Sequence, residues 1–207
     1  MGADSEITRR GILEAARDVI GERGYQAATF QQIALRAGVS RPTLHYYFDS
    51  RDHIYDVLLT EIHQRLAECV EQAQREVGLR NQLSRFAETL QRWSVEESRT
   101  VQFLIAARLE HHRGLHRAEA AARVFAAVHA FYDSVVIQAA QRGELRPGLD
   151  VGAVADMLAA VFWGAGFHAG FLRSGNAEAD RVDVARLLLG VFDNGLLEIR
   201  LPASVEA

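Results

Sequence analysis

Apolar residues recur every three or four positions along most of the chain, which is the spacing of one face of an α-helix. Residues 8–23 carry such a stripe, and longer stripes occupy residues 51–77 and 118–142. In the last of these, apolar residues cover most of the circumference, which predicts a central, buried helix. Alanine and leucine, which favour helices, fill these segments, and the chain has only three prolines. The pattern predicts an all-α protein of about nine helices.

Residues 29–48 have the pattern of two short helices joined by a tight turn. Thr29 and Gln32 have the spacing of a capping box, in which each side chain bonds a free backbone N–H at the start of a helix. Gly38 ends that helix, and Ser40 then caps a second one. A turn of about three residues separates the two helices, a length typical of helix-turn-helix units.

The second short helix is predicted to expose side chains suited to nucleic acid. Leu44 and Phe48 fall on its inner face, and the outward positions are Pro42, Thr43, His45 and Tyr46. Together with Arg41, these side chains offer hydrogen-bond donors to base edges and phosphates. No acidic residue occurs between Arg23 and Phe48, although five precede Arg23, and a surface for phosphate should lack carboxylates. A helical hairpin with solvated aromatic residues is the alternative.

The segment TFQQIALRAGVSRPTLHYYFDSRDHIYDVL, residues 29–58, resembles the DNA-binding segment of TetR-type transcriptional regulators. That family's pattern runs T-x-x-x-I-A-x-x-A-G-V-S-x-x-T-L-Y-Y-H-F-x-S-K. The cap, the turn glycine, the Val-Ser and Thr-Leu pairs and the aromatic cluster stand at matching positions. The resemblance implies a helix-turn-helix DNA-binding domain at residues 1–55, a ligand-binding and dimerisation domain at 56–207, and a homodimer on double-stranded operator DNA.

The resemblance also implies roles for single residues. The side chains expected to face DNA are Arg41, Pro42, Thr43, His45 and Tyr47. The side chains expected to contact the DNA backbone are Thr29, Gln31 and Arg51. His45, Tyr47 and Arg51 replace the tyrosine, histidine and lysine usual at their positions, which leaves the operator sequence open. The helical wheel favours Tyr46 as the exposed tyrosine, so Tyr46 stays a candidate, but the family more often exposes Tyr47 and we follow the family.

The larger domain is expected to hold a pocket for a small, largely apolar effector among helices five to eight. Large aromatic residues are more frequent there than a plain helical bundle needs. The candidate apolar walls are Phe86, Leu90, Trp93, Phe103, Val128, Tyr132 and Phe167. The candidate polar contacts are His129 and His168. Each of these residues also suits a simple core position.

Two C-terminal helices, predicted at residues 151–174 and 181–198, have apolar residues on more than one face. One face of each suits the monomer core and another suits a partner subunit, because two-fold DNA readers need two recognition helices at a fixed spacing. The candidate interface residues are Val161, Ala165, Ala169, Leu187, Leu188 and Val191. A larger single core is the alternative.

Net charge limits how far a DNA-binding surface can extend, and the cysteine content and apolar runs indicate the cellular compartment. The net charge is −4, so a surface for nucleic acid must be local. The one cysteine, Cys69, excludes an internal disulfide and lies on an apolar helix face, where a buried, unreactive thiol is expected. The charged N-terminus is unlike a signal peptide, and the apolar run at 157–172 is short for a membrane span and contains three glycines. We expect a cytoplasmic protein that does not bind membranes.

The stretch EHHRGLH, residues 110–116, is a candidate metal site because His112 and His116 lie four positions apart near Glu110. Gly114 and the charged neighbours favour a loop, so solvated histidines are the preferred interpretation. No nucleophile elbow, phosphate-binding loop or zinc-protease motif occurs, and neither catalysis nor a cofactor is expected.

The sequence therefore predicts a ligand-responsive DNA-binding transcriptional regulator, a repressor released from its operator by the effector. Ligand would shift the long helix at 51–77, and the two recognition helices would lose the spacing of successive major grooves. An activator of the same fold, a protein-interaction module without DNA binding and an all-α metal-dependent enzyme are the alternatives.

Overall fold

The computed structural model describes residues 3–96, 98–114 and 119–172, and the elements in these ranges are helices. Within them, eight α-helices are followed by a π-helical turn at His168–Leu172. The α-helices are α1 (Ala3–Arg23), α2 (Phe30–Arg36), α3 (Arg41–Tyr47), α4 (Arg51–Gln74), α5 (Leu79–Glu96), α6 (Ser98–His112), α7 (Glu119–Gln141) and α8 (Val151–Phe167). The all-α prediction is confirmed. The helix predicted at 181–198 lies outside the described residues.

The short helices begin where their capping residues predict. The Thr29 hydroxyl accepts a hydrogen bond from the Gln32 N–H at 3.2 Å, and the Gln32 side chain accepts from the Thr29 N–H at 3.0 Å. Ser40 and Ser50 cap α3 and α4 in the same way, each accepting from an N–H three residues further on at 3.1 Å. Gly38 follows α2 with φ +67°, a left-handed conformation that favours glycine and lets the chain turn sharply into α3.

Two long helices, α4 and α7, form the centre of the fold. α7 is buried around much of its circumference, with Val124, Val128 and Val136 inaccessible, which confirms the predicted central helix. α4 packs against α1, α5 and α7 and thereby connects the N-terminal helices to the rest. Cys69 of α4 is 3% exposed, and burial raises the pKa of its thiol to about 11, so it is the unreactive core residue predicted.

Two of the described helical segments have the length and composition of membrane-spanning helices, α7 and the run of α8 into the π-helical turn. Half of the apolar window in α7 is buried inside the fold, as expected of a core helix. Only 22% of the corresponding window in α8 is buried, and Met157, Phe167 and Phe171 are each about two-fifths exposed. A large apolar face of α8 is therefore left uncovered by the described part of the chain.

A charged network joins the start of α6 to the N-terminal helices. Arg99 of α6 bonds the carboxylate of Glu22 at 2.6 Å, and Arg36 of α2 bonds the same carboxylate at 2.9 Å. Asp18 lies beside both guanidinium groups, 3.2 Å from Arg36 and 3.8 Å from Arg99. The hydrogen bonds from Arg36 and then Arg99 hold the pKa of the Glu22 carboxyl below its usual range. Three helices are thus linked through one carboxylate.

A buried polar contact joins the other end of α6 to the same helices. Glu110 is only 8% exposed, and its Oε1 accepts a hydrogen bond from the backbone N–H of Tyr25 at 2.5 Å. Gly24 precedes that N–H with φ +77°, and a Cβ there would lie 2.9 Å from the same oxygen. Glycine is therefore needed at this position both for its backbone conformation and for the close approach of α6.

The Glu22 network predicts a pH-dependent contribution to stability. Because folding lowers the pKa of Glu22, its contribution is fully present above the ordinary glutamate pKa of about 4.3 and is lost as the pH falls through the folded value. Glu22→Gln should therefore lower the free energy of unfolding near neutral pH, with the difference from wild type shrinking below about pH 4. Urea unfolding between neutral and acid pH measures this.

Glu14, an exposed residue on the same helix, provides the matched control. Glu14→Gln should change the free energy of unfolding by less than about 0.5 kcal/mol. A Glu22→Gln deficit that is the same at every pH would contradict the ion-pair explanation.

Candidate functional site

Helix α3 presents most of the predicted DNA-facing side chains to solvent. Leu44 and Phe48 are 0% and 1% exposed and anchor the helix to the core, as predicted. Arg41, Pro42 and His45 are exposed on the opposite side, with Thr43 half-buried beside them. The face is therefore held by apolar side chains behind it, while the polar and aromatic groups stay accessible.

The two adjacent tyrosines of α3 are placed the other way round from the family-based expectation. Tyr46 is 78% exposed, whereas Tyr47 is half-buried and packs against the hydrophobic core. The expectation that Tyr47 is the exposed one is wrong, because Tyr47 follows Leu44 by three positions and so shares its inner face. The ring centres of the two tyrosines lie 5.1 Å apart, edge to face, so Tyr47 supports Tyr46 from behind.

The start of α2 lies next to this face. The rings of Phe30 and His45 are 4.6 Å apart, which fixes the imidazole against the first turn of α2. Thr29 and Gln31 flank Phe30 and are exposed, the positions that a DNA-backbone contact needs. The Thr29 hydroxyl is also used internally, as the cap of α2. Phosphate binding at the start of a short helix therefore stays a prediction for these two residues.

Arg51 is engaged inside the protein, which the sequence did not predict. Its Nη1 donates to the carbonyl oxygens of Tyr25 at 3.0 Å and Ala28 at 2.6 Å, and its guanidinium lies 4.0 Å from the centre of the Tyr25 ring. The Tyr25 hydroxyl bonds Asp52, and burial is the main cause that raises the pKa of Tyr25 to about 12. Arg51 thus fastens the loop that leads into α2, and its contact with DNA phosphate stays untested.

Known proteins share both the N-terminal segment and the whole fold. Residues 12–58 match the family model described as bacterial regulatory proteins, tetR family. Residues 12–58 are therefore similar to the DNA-binding segment of TetR-family regulators. The match covers the helix-turn-helix predicted from the caps and turn.

The chain is also similar in sequence to individual regulators over about a third of its length. It is 44% identical over 68 residues to the transcriptional activator FasR of Mycolicibacterium smegmatis, covering 32% of this chain and 31% of FasR. It is 32% identical over 72 residues to the uncharacterised regulator YdgC of Bacillus subtilis, covering 35% and 37%. The matched segment spans about a third of the length of these relatives.

The likeness of fold extends along nearly the whole chain. The gamma-butyrolactone receptor, an ArpA-like protein, superposes with a TM-score of 0.76 over 95% of this chain and 91% of the receptor, at 17% identity. At that identity the comparison shows a shared fold, with an N-terminal helix-turn-helix and a larger helical domain.

The predicted effector residues fall into two groups. Phe86, Phe103, Val128 and Tyr132 are buried, Leu90 packs against them, and His129 is half-buried. The rings of Phe86 and Phe131 stack at 4.2 Å, so this region is a packed aromatic core. Phe167 and His168 are exposed at the end of α8, away from that core. The side chain of Trp93 lies outside the described residues.

One surface groove and the segment EHHRGLH complete the description of the predicted sites. An open groove on α4 and α5 is lined by the charged residues Glu68, Arg75 and Arg85, so it is not the apolar pocket predicted. α6 continues through His112, so the first half of EHHRGLH is helical rather than a loop. Among the described residues no group of three metal-binding side chains comes together, and His116 lies outside them.

The predicted dimer residues are only partly described. Val161 and Ala165 of α8 are half-buried, and Ala169 in the π-helical turn is exposed. Leu187, Leu188 and Val191 lie outside the described residues. The accessible part of this set coincides with the uncovered apolar face of α8.

The internal role of Arg51 leads to a stability prediction. Arg51→Ala should lower the free energy of unfolding by about 1–3 kcal/mol, because two carbonyl groups lose a charged donor. Arg41→Ala removes an exposed arginine and should change it by less than about 0.5 kcal/mol. Denaturant unfolding of the two variants makes the comparison. If Arg51→Ala changes the free energy of unfolding as little as Arg41→Ala does, the internal role is contradicted. A weaker salt dependence of DNA binding in Arg51→Ala, without a loss of stability, would favour the phosphate contact instead.

Proposed function

We propose that this protein is a dimeric, ligand-responsive DNA-binding transcriptional regulator that represses by occupying an operator. The exposed face of α3 carries this proposal: it offers Arg41, His45 and Tyr46, and no acidic residue lies between Arg23 and Phe48. A cationic, carboxylate-free helix face fits the major groove, where arginine reads guanine and tyrosine supplies contact area. The family match over residues 12–58 supports the same conclusion.

The division of labour follows the helix order. We assign reading of DNA to residues 1–55 and effector binding and dimerisation to residues 56–207, with α4 belonging to both because it begins at Arg51. Arg41, Pro42 and Thr43 form the first turn of α3, the part of a recognition helix that contacts base edges. Thr29 and Gln31 at the start of α2 would contact the DNA backbone.

Dimerisation is proposed through α8 and the helix predicted at 181–198. The uncovered apolar face of α8 supports this assignment, because an exposed apolar patch of this kind is typical of a subunit interface. A two-fold dimer would place the two α3 helices in successive major grooves, about 34–36 Å apart. This covering of α8 by a second subunit also accounts for its apolar surface without a membrane.

The effector signal has two physical routes to the DNA-binding helices. α4 spans both halves of the protein, as the sequence predicted, and α6 is tied to the same helices by Arg99 at its start and Glu110 near its end. A ligand that displaces α6 would therefore change the position of α1 directly. The likeness in fold to a gamma-butyrolactone receptor favours a small-molecule effector, and a largely apolar one suits the aromatic core around Phe86.

The direction of regulation separates the two candidate functions. FasR, which is 44% identical to this chain over 68 residues, is a transcriptional activator, so an activator of the same fold is the alternative. Release from DNA by the effector would identify a repressor, and tighter binding with the effector would identify the alternative. In either case the protein works in the cytoplasm, where its DNA lies.

Selection of bound sites from a random DNA library tests DNA reading. The selected site should be a two-fold repeat, and Arg41→Ala should weaken binding to it by about 1–3 kcal/mol and relax one or two base positions. Arg123→Ala, which removes an exposed arginine on α7, is the matched control and should leave affinity and preference unchanged. Unchanged base preference in Arg41→Ala would refute the assignment of α3 contacts.

Sedimentation tests the proposed dimer. Wild-type protein should sediment as a dimer at micromolar concentration, and Ala169→Glu and Leu188→Glu should each give monomers that lose operator affinity, because a charge would be buried without a partner. Val77→Glu, at a position 76% exposed after α4, should remain dimeric. A monomeric wild type would exclude the proposed assembly.

A further inference from the structure

Three helices bring a cluster of cationic, aromatic and imidazole side chains together outside the DNA-binding face. The guanidinium of Arg108 in α6 lies 4.8 Å from the centre of the Phe125 ring in α7 and 5.1 Å from that of Trp163 in α8. The ring centre of Phe125 lies 5.5 Å from that of Trp163 and 5.2 Å from that of His111 in α6, and both pairs meet edge to face. Arg108, His111 and Trp163 are half-buried, so the cluster is partly sheltered from solvent.

Two polar atoms of this cluster are buried without a hydrogen-bond partner among the described residues. These atoms, Trp163 Nε1 and His111 Nδ1, are not accessible to solvent. Arg108 forms no ion pair with any described residue, and burial lowers the pKa of its guanidinium from the usual value. Native proteins rarely leave buried donors unpaired, because each loses its hydrogen bonds to water on folding. Two such atoms beside an arginine without a carboxylate therefore mark a place where a ligand supplies the partner.

The chemistry of Arg108 favours one class of ligand group. Its guanidinium carries N–H donors along the edge of its plane, and it forms no ion pair with a described carboxylate. A carboxylate matches that edge with two parallel hydrogen bonds. The indole Nε1 of Trp163 is a donor only, and His111 Nδ1 donates in one of its neutral forms, so all three side chains can donate to carboxylate oxygens.

Aromatic rings continue from the cluster toward the buried core. The ring centre of Phe162 lies 4.9 Å from that of Trp163. On its other side it lies 6.3 Å from the ring centre of Tyr132 and 6.1 Å from that of Phe86. A ligand held at its carboxylate by Arg108 would therefore find apolar surface along Phe162 for its remaining body. Polar and apolar elements lie in the order that an amphipathic acid requires.

We propose that the effector is an apolar carboxylic acid whose carboxylate is bound by Arg108, Trp163 and His111, with its apolar body along Phe162. This inference rests on the proposed ligand-responsive function, in which the effector was defined only as small and largely apolar. It adds the polar contacts that the sequence did not reveal and replaces His129 and His168 as the ligand's polar partners.

Calorimetric titration of the full chain tests the proposal with defined probes. The probes are straight-chain carboxylates from hexanoate to dodecanoate and 2-naphthoate, each paired with the corresponding primary alcohol. At least one carboxylate should bind one site per chain at least about tenfold more tightly than its alcohol. Arg108→Met should lower the affinity for that carboxylate by about 10–100-fold and leave the affinity for the alcohol unchanged, as expected for loss of a charge-assisted pair.

Matched variants separate binding from a purely structural role of Arg108. Arg123→Met, which removes an exposed arginine on α7, should bind the carboxylate like wild type. Trp163→Phe, which keeps a ring and removes the Nε1–H, should weaken the carboxylate more than the alcohol. Arg108→Lys keeps the charge and loses the planar fork, so it should also weaken the carboxylate, and it decides the question if Arg108→Met does not fold.

Three results would overturn the proposal: no carboxylate binds wild type at about 1 mM, carboxylate and alcohol bind equally, or the Arg108 variants bind like Arg123→Met. Operator binding is measured in parallel, and without ligand Arg108→Met should bind operator like wild type. Carboxylate binding through Arg108 that leaves operator affinity unchanged would support the site and refute the ligand response. A protein with this site but no affinity for DNA would refute the DNA-binding function alone.

Discussion

The apolar packing of α4 against α1 on one hand and against α5 and α7 on the other is the interaction on which the rest of the structure depends. Ile54, Leu58 and Leu59 are completely buried near the start of α4, and burial continues through Leu66 and Ala73 toward its end. One continuous helix therefore belongs to both halves of the protein. Because closely packed interiors transmit strain, a displacement of α5 or α7 against α4 would also act on α1.

Polar contacts add direction to this packing. Apolar surfaces alone allow helices to slide along each other. A hydrogen bond from a specific N–H to a carboxylate forms at only one relative position of the two segments. Glu110 meets the Tyr25 N–H at a position open only because Gly24 has no side chain, and Arg99 holds Glu22 at the other end of α6. α6 also carries Arg108, so the helix that would bind the effector's carboxylate is the one fastened to the DNA-binding helices.

The surface of the protein reflects two different uses of exposed residues. On α3, the amphipathic side chains of Tyr46 and His45 provide contact area for a partner and can also form hydrogen bonds with water. On α8, Met157, Phe167 and Phe171 offer water no hydrogen bonds, and such a face favours association with another apolar surface. The same helix turns Trp163 inward, where it meets Arg108 and Phe125. α8 thus lies between the proposed partner subunit and the proposed effector site.

Local sequence determined the elements of this protein. Helical period, the Thr29, Ser40 and Ser50 caps and the left-handed glycine at 38 act within a few residues, so they predicted α2, α3 and the start of α4 correctly. Apolar residues around most of the circumference of α7 predicted that this helix is buried. One apolar face of α4 predicted that Cys69 is buried. The helix-turn-helix could be recognised for the same reason, since its signals are contiguous.

Tertiary structure alone decided which side chains are available for function. The family pattern implies a DNA-backbone contact for Arg51, and the structure shows its guanidinium on carbonyl groups 23 and 26 residues away along the chain. The choice between Tyr46 and Tyr47 depended on how α3 rests on Leu44, and the helical wheel was the better guide than the family pattern. Arg108, Phe125 and Trp163 lie on three helices and share no local pattern. Short-range backbone chemistry is encoded in neighbouring residues, whereas a site assembled across helices exists only once packing has brought its members together.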